Sequence, residues 1–197
     1  KVQNTRSDLV ESVRRIQAAG LEVMGGFIVG FDNDGPDIFE RQFAFIQRAG
    51  VVTAMVGILT ALPRTRLYQR LKVEGRLLAE SAGNNTQARC NFVPTLGRET
   101  LERGYGELMR RLYEPRAYYL RARTLLRQCR PRTRSRVNLT DIRALVRSMW
   151  VLGLCERGRR DYWRFLTTVL IHHRRQFGVA VELTIHGHHF RKLAASL

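Results

Sequence analysis

The apolar positions of this chain change their period once, near residue 97. Over residues 7–19, Leu9, Val13 and Ile16 recur at helical spacing, with Ser7 as the expected N-cap and Gly20 as the stop. The run at residues 21–30, LEVMGGFIVG, is short and almost continuously apolar, which predicts a buried strand. Pro36 suits a first helical turn, and Phe39, Phe43 and Ile46 follow on one face before Gly50 stops the helix. Residues 52–59 predict a second buried strand, and Thr65 to Val73 a short helix that ends at Gly75. The order is helix, strand, helix, strand, helix, with strands apolar on both faces. That pattern predicts parallel βα units with right-handed crossovers, three units of a barrel or open sheet.

Beyond residue 97 the period is helical throughout. Leu101, Tyr105, Leu108 and Leu112 form one stripe, and Pro115 starts a second helix with Tyr118, Ala122, Leu125 and Cys129 as its apolar face. Ile142, Leu145, Val146 and Met149 mark a third helix, capped by Asn138 or Thr140, and Tyr162, Phe165, Leu166, Val169 and Leu170 a fourth. Residues 179–195 predict a fifth, although Val179 to Thr184 is β-prone. The expected architecture is an α/β part over residues 1–96 followed by an all-helical domain over residues 97–197.

Composition narrows the class. An apolar content of 44% over 197 residues supports a packed core and excludes a disordered tail. No apolar run is long enough to cross a bilayer. The three cysteines, Cys90, Cys129 and Cys155, are too few and too far apart for a disulfide framework. The net charge is +17, and residues 99–197 carry +13 of it. Residues 121–136 hold seven arginines and no acid. Such a block suits an anionic partner, RNA or a lipid headgroup surface, and equally suits a plain solvated helix face.

Few residues carry a chemical signal. Gly26 and Gly30 leave backbone exposed on either side of an apolar strand tip, where main chain can lie flat against a planar ring. The alternative is that Gly25 and Gly26 relieve crowding where a helix packs. Gln3 and Asn4 stand just before the first helix, where side-chain amides can bond a ribose or an amino-acid group, or simply make a turn. No nearby carboxylate or cysteine completes a site around His186, His188 and His189, so no metal site is expected. His173 lies on the apolar side of its helix and is expected as a hydrogen-bonded core residue. Trp150, Trp163, Tyr118 and Tyr119 are expected in the core or in inter-helix packing, with the lining of a pocket for a large apolar substrate as the alternative. No residue is singled out as catalytic.

Four blocks in order carry a resemblance: Gln3-Asn4-Thr5-Arg6; Gly25 to Asp32; Ala61 to Tyr68; and Gly83-Asn84-Asn85-Thr86 through Asn91-Phe92. Over Lys1 to Tyr119 the chain resembles the radical S-adenosylmethionine (SAM) superfamily, in the cobalamin-binding branch whose barrel is followed by a helical domain. The resemblance implies the C-terminal half of a (β/α) partial barrel. Gln3 and Asn4 would touch the ribose and amino-acid part of SAM. Gly26, Ile28 and Gly30 would pack against adenine, and Leu62 would close the next strand beside it. The family's acidic position falls on Asn33, between Asp32 and Asp34. Arg64 stands where this branch has glycine, which implies a different turn. The superfamily's Cys-x3-Cys-x2-Cys motif for a [4Fe–4S] cluster is absent, so the cluster and cobalamin would be held by a missing N-terminal barrel half and a cobalamin-binding domain. This chain alone would then be inactive. The implied activity is a cytoplasmic methyltransferase acting on an unactivated carbon of a lipid-like or pigment substrate, with peripheral membrane contact. The alternative is a non-catalytic basic helical module that binds RNA or anionic membranes.

Overall fold

The computed structural model describes residues 8–79, 90–129 and 139–196, with the side chains of 139–141 excepted. The elements run α1 (Leu9–Ala18), β1 (Gly25–Val29), α2 (Ile38–Ala49), β2 (Ala54–Ile58), α3 (Arg66–Val73), α4 (Arg98–Tyr113), α5 (Pro115–Gln128), α6 (Leu139–Trp150), a π-helical turn (Val151–Cys155), α7 (Arg159–His172) and α8 (Phe177–Ala195). A short 3₁₀ turn, Arg174–Gln176, links α7 to α8. The protein is mixed α/β and mostly helical.

The local chemistry explains the boundaries. Asp8, not Ser7, caps α1, its carboxylate accepting from the Val10 N–H at 2.9 Å. Gly50 ends α2 in the left-handed conformation with φ 67°. Thr65 caps α3 by accepting from the Tyr68 N–H, and Pro115 opens α5. Thr140 lies inside α6 rather than at its cap, and Asn138 is outside the described residues. The expected apolar face of α1 is rotated. Val10 and Gln17 are buried while Leu9 and Ile16 are exposed, because the Gln17 amide donates to the Gly50 carbonyl at 3.2 Å.

The sheet of the described residues has two parallel strands in the register Gly25↔Ala54 to Val29↔Ile58. Side chains alternate across it. Val29, Ala54 and Val56 are buried against the helices, whereas Ile28 is 48% and Met55 54% exposed. The expectation of strands buried on both faces is therefore corrected: among the described residues the sheet is covered by α2 and α4 on one face only.

The outer edge of β2 is closed by α4. Tyr105 and Tyr113 donate their hydroxyls to the carbonyls of Val56 and Ala54, at 3.3 and 2.7 Å. Buried peptide groups that lack a strand partner need such donors. The buried core consequently runs without a break across residue 97.

Arg121 stands at its centre. It is fully buried, and it donates to Gln47 Oε1 (2.9 Å), the Leu112 carbonyl (3.0 Å) and the Val52 carbonyl (3.3 Å), with the Tyr113 and Tyr118 rings beside it. Burial pushes its guanidinium down to about 10, still charged at neutral pH. The expectation that it belongs to a solvent-facing arginine block fails for this residue. Arg123 and Arg127 line a cavity, and Arg130, Arg132, Arg134 and Arg136 lie outside the described residues.

Candidate functional site

The uncovered face of the sheet is the best candidate. Paired residues of a parallel ladder point to the same side, so Gly26 opposite Met55 and Ile28 opposite Gly57 make one surface. Its two glycines sit on a diagonal between two apolar side chains. A Cβ at Gly26 or Gly57 would meet nothing within 4 Å. Packing among the described residues therefore does not demand glycine at either place, and a glycine inside a strand weakens it. What glycine provides here is bare peptide surface, open to a flat group.

Crowding and backbone shape account for the neighbouring glycines. A Cβ on Gly25 would fall 2.6 Å from the Phe27 ring, so that residue does relieve crowding. Gly30 is buried, has φ +104°, and a Cβ there would lie 2.9 Å from Leu101 Cδ2. Left-handed backbone and helix packing both require glycine at residue 30.

The turn that follows β1 is held by its acids. Asp34 accepts from the Gly30 and Phe31 N–H groups at 2.8 and 2.9 Å. Asp32 accepts from Arg76 at 2.8 Å, from Thr95 at 3.0 Å and from Arg70. The Arg76 hydrogen bond holds its carboxyl below the usual range, opposed by partial desolvation and helped by Thr95 and Arg70. Both acids flanking Asn33 are thus engaged in shaping the strand tip. Asn33 itself is exposed.

The end of β2 is clamped in the same way. Asn91 accepts from the Ala61 N–H at 2.9 Å and donates to the Ala61 carbonyl at 3.0 Å, imitating a strand partner. Leu62 then turns outward, 44% exposed. The turn Leu62-Pro63-Arg64-Thr65 closes by a Thr65 N–H to Leu62 carbonyl bond of 3.2 Å. Arg64 sits in it with φ 65°. Proline second and a positive φ third are the marks of a type II turn. The arginine here holds the left-handed conformation that glycine favours.

Gly26 and Ile28 therefore lie on the open face, and Leu62 is exposed in the segment beyond β2. Gly30 is in the adjoining turn, and Gln3 and Asn4 lie outside the described residues. Sequence reasoning missed Gly57 and Met55, although a glycine inside the run Ala54–Ile58 is itself a sign of close approach. Cys90 is buried, which pushes its thiol up, and it is not close to Cys129 or Cys155 in any metal-binding group. Among the described residues no three His, Cys, Asp or Glu side chains could hold a metal. His173 ends α7 and is half-buried at a cavity wall rather than in the core. Trp150 is 65% exposed, against expectation, whereas Tyr118 and Tyr119 are buried. No described helix is long and apolar enough to cross a membrane.

Residues 65–197 match the family described as Domain of unknown function (DUF4070). The chain belongs to this family. Among its relatives, an uncharacterized methyltransferase of Synechocystis sp. is 36% identical over 195 residues, covering 96% of this chain and 36% of that protein. The hopanoid C-2 methylase of Rhodopseudomonas palustris is 28% identical over 180 residues, covering 87% of this chain and 33% of that protein. This DUF4070 chain thus spans about a third of the length of the relatives it matches. No solved structure matches it.

Proposed function

We propose that this chain is the C-terminal part of a cobalamin-dependent radical SAM methylase acting on a carbon of a lipid-like small molecule. The observation that carries the reading is the open, glycine-notched face of β1 and β2. Its fit to a nucleoside is good: Gly26 and Gly57 leave peptide planes bare, and Ile28 and Met55 supply apolar contact at the sides of a flat ring. The names of two relatives, a methyltransferase and a hopanoid C-2 methylase, support the group transferred and a lipid-like substrate.

In this reading the chain binds and orients SAM and keeps water from its adenine side. Gln3 and Asn4 hold the ribose and amino-acid part, Gly26, Ile28 and Gly57 the adenine, and Leu62 borders it. When bound, SAM would supply the hydrogen-abstracting chemistry. The three cysteines here do not fit such a cluster, so it and cobalamin are held by an N-terminal barrel half and a cobalamin-binding domain outside this chain. The uncovered sheet face is where that half completes the pocket. Outward-facing Val146, Trp150 and Leu154, with Arg143 and Arg147 beside them, favour peripheral membrane contact of a cytoplasmic enzyme.

The test uses the full-length protein with SAM titrated by calorimetry. Gly26→Val and Gly57→Val are expected to weaken SAM at least tenfold while the thermal unfolding temperature holds. Unchanged affinity in both variants overturns the reading. It would move the weight to a non-catalytic basic module for RNA or anionic membrane.

A further inference from the structure

A second feature lies in the helical part, far in sequence from the sheet. A cavity of about 380 Å³ separates the C-terminal ends of α5 and α7. Leu126 and Val169 are buried and form its apolar floor. Arg123 and Arg127 come from α5, one turn apart and so on one face; Thr168, His172 and His173 come from α7 and its end.

Four cation-forming groups thus face one space. Thr168 already donates to the Arg164 carbonyl at 2.6 Å, so among the described residues guanidinium and imidazole N–H groups are the donors that line the cavity. Cations at helix C-termini have an ordinary use, since each end carries a partial charge of about −0.5. Two such ends balance one arginine and leave the rest. The carbonyl of Cys129, just past α5, is also taken without a cation, as Gln176 donates to it.

The field in the cavity is accordingly positive. His173 is held below the usual imidazole range by burial first, and then by His172, Arg127 and Arg123. No carboxylate among the described side chains opposes them. At His188 the contrast is plain, because Glu156 faces it and pulls the other way.

We infer that the α5–α7 cavity is an anion site that takes the phosphate group of an organic phosphate ester, through Arg123, Arg127, His172 and His173. Two arginines one turn apart suit several oxygens of one tetrahedral group. The apolar floor and a volume in the range of small-molecule pockets leave room for the ester's carbon body. This site stands independently of the SAM reading.

The ester has two sources, a soluble metabolite or a lipid headgroup. Glycerol 3-phosphate titrated into the chain, followed by the histidine ring resonances in NMR, tests the first. Vesicles of phosphatidylcholine with and without phosphatidic acid, in co-sedimentation, test the second. The inference expects saturable shifts of His172 and His173, or retention on phosphatidic acid vesicles alone. Either signal is expected to weaken about tenfold in Arg127→Gln and in Arg123→Gln, and to stay within twofold in Arg164→Gln. Arg127 is exposed, so its variant keeps the fold whatever Arg123→Gln does. Three outcomes overturn the inference: no signal in either arm, an equal response to sodium chloride at matched ionic strength, or Arg127→Gln binding as the parent does.

Discussion

The Tyr113 hydroxyl donates to the carbonyl of Ala54 at 2.7 Å, across 59 positions of sequence. With Tyr105 on Val56 it makes α4 the closing edge of the sheet. A helical residue thus finishes a strand, and the α/β and helical parts stabilise each other. Removing the hydroxyl leaves a buried acceptor unpaired, which costs about 1 to 3 kcal/mol. Tyr113→Phe is expected to destabilise the chain by that amount in urea unfolding. The Tyr105→Phe loss should be smaller, since its bond is longer at 3.3 Å. A Tyr113→Phe chain as stable as the parent would contradict the closed edge.

The glycines of β1 separate by cause. Gly26 has open space and ordinary φ, so Gly26→Ala is expected to be neutral or to stabilise the fold by up to about 1 kcal/mol, as Gly-to-Ala changes at compatible sites do. Gly30 has φ +104° and Leu101 against it. Gly30→Val is expected to cost more than about 2 kcal/mol, combining left-handed strain with overpacking. Thermal unfolding of the two variants distinguishes them. A mild Gly30→Val would mean that the turn relaxes, and Gly30 would return as a candidate for close ligand approach.

This difference marks how far the sequence was legible. The period of the apolar residues located the helices and both strands, because packing sets that period. It also placed Leu101, Leu112, Tyr118 and Phe165 in the core. It could not say that one strand face is open, since Gly26, Ile28 and Met55 are as apolar as residues that pack. It misassigned Arg121, whose burial depends on acceptors supplied by Gln47, Val52 and Leu112 from three separate places. On α6 the stripe of Ile142 and Val146 faces outward while Ser148 is buried on Tyr162, because a hydroxyl pair of 2.9 Å there satisfies both groups. Of the site, Gly26 and Ile28 were visible as a motif, whereas Gly57 joins them only through strand register.

Arg64 gives a stability prediction free of any ligand. It holds φ 65° in a turn where glycine carries no steric penalty. Left-handed backbone costs a non-glycine residue about 1 to 2 kcal/mol, and part of that gain is lost to the freer unfolded chain of a glycine variant. Arg64→Gly is therefore expected to stabilise the chain by about 0.5 to 1 kcal/mol. Arg64→Val should destabilise it by a similar amount or more, because branching at Cβ narrows that region further. The order Gly above Arg above Val in chemical denaturation is the expected result, and a destabilised Arg64→Gly would show that the side chain itself is bonded in the turn.

Acid should weaken the strand tip through Asp32. This residue binds Arg76, Thr95 and Arg70, and the Arg76 hydrogen bond keeps its carboxyl below the unfolded-chain value of about 3.9. A carboxyl whose folded value is lowered adds stability above the unfolded value, and that stability disappears as pH falls through the folded value. At pH 7 the network contributes in full; as pH falls through the lowered folded value, Asp32 takes up a proton and that contribution is lost. Asp32→Asn keeps the shape and removes the charge. It is expected to cost about 1 to 2 kcal/mol at pH 7, the lower part of the range for hydrogen bonds to charged groups, because the side chain is still 28% exposed. The variant and the parent should unfold at increasingly similar denaturant concentrations as pH falls below about 3.9. Other carboxylates also take up protons in acid, Glu40 on Arg111 among them, but they are common to both chains and cancel in the difference. A gap between the two chains that does not narrow as pH falls below about 3.9 would assign the effect of Asp32→Asn to packing of the strand tip rather than to its charge.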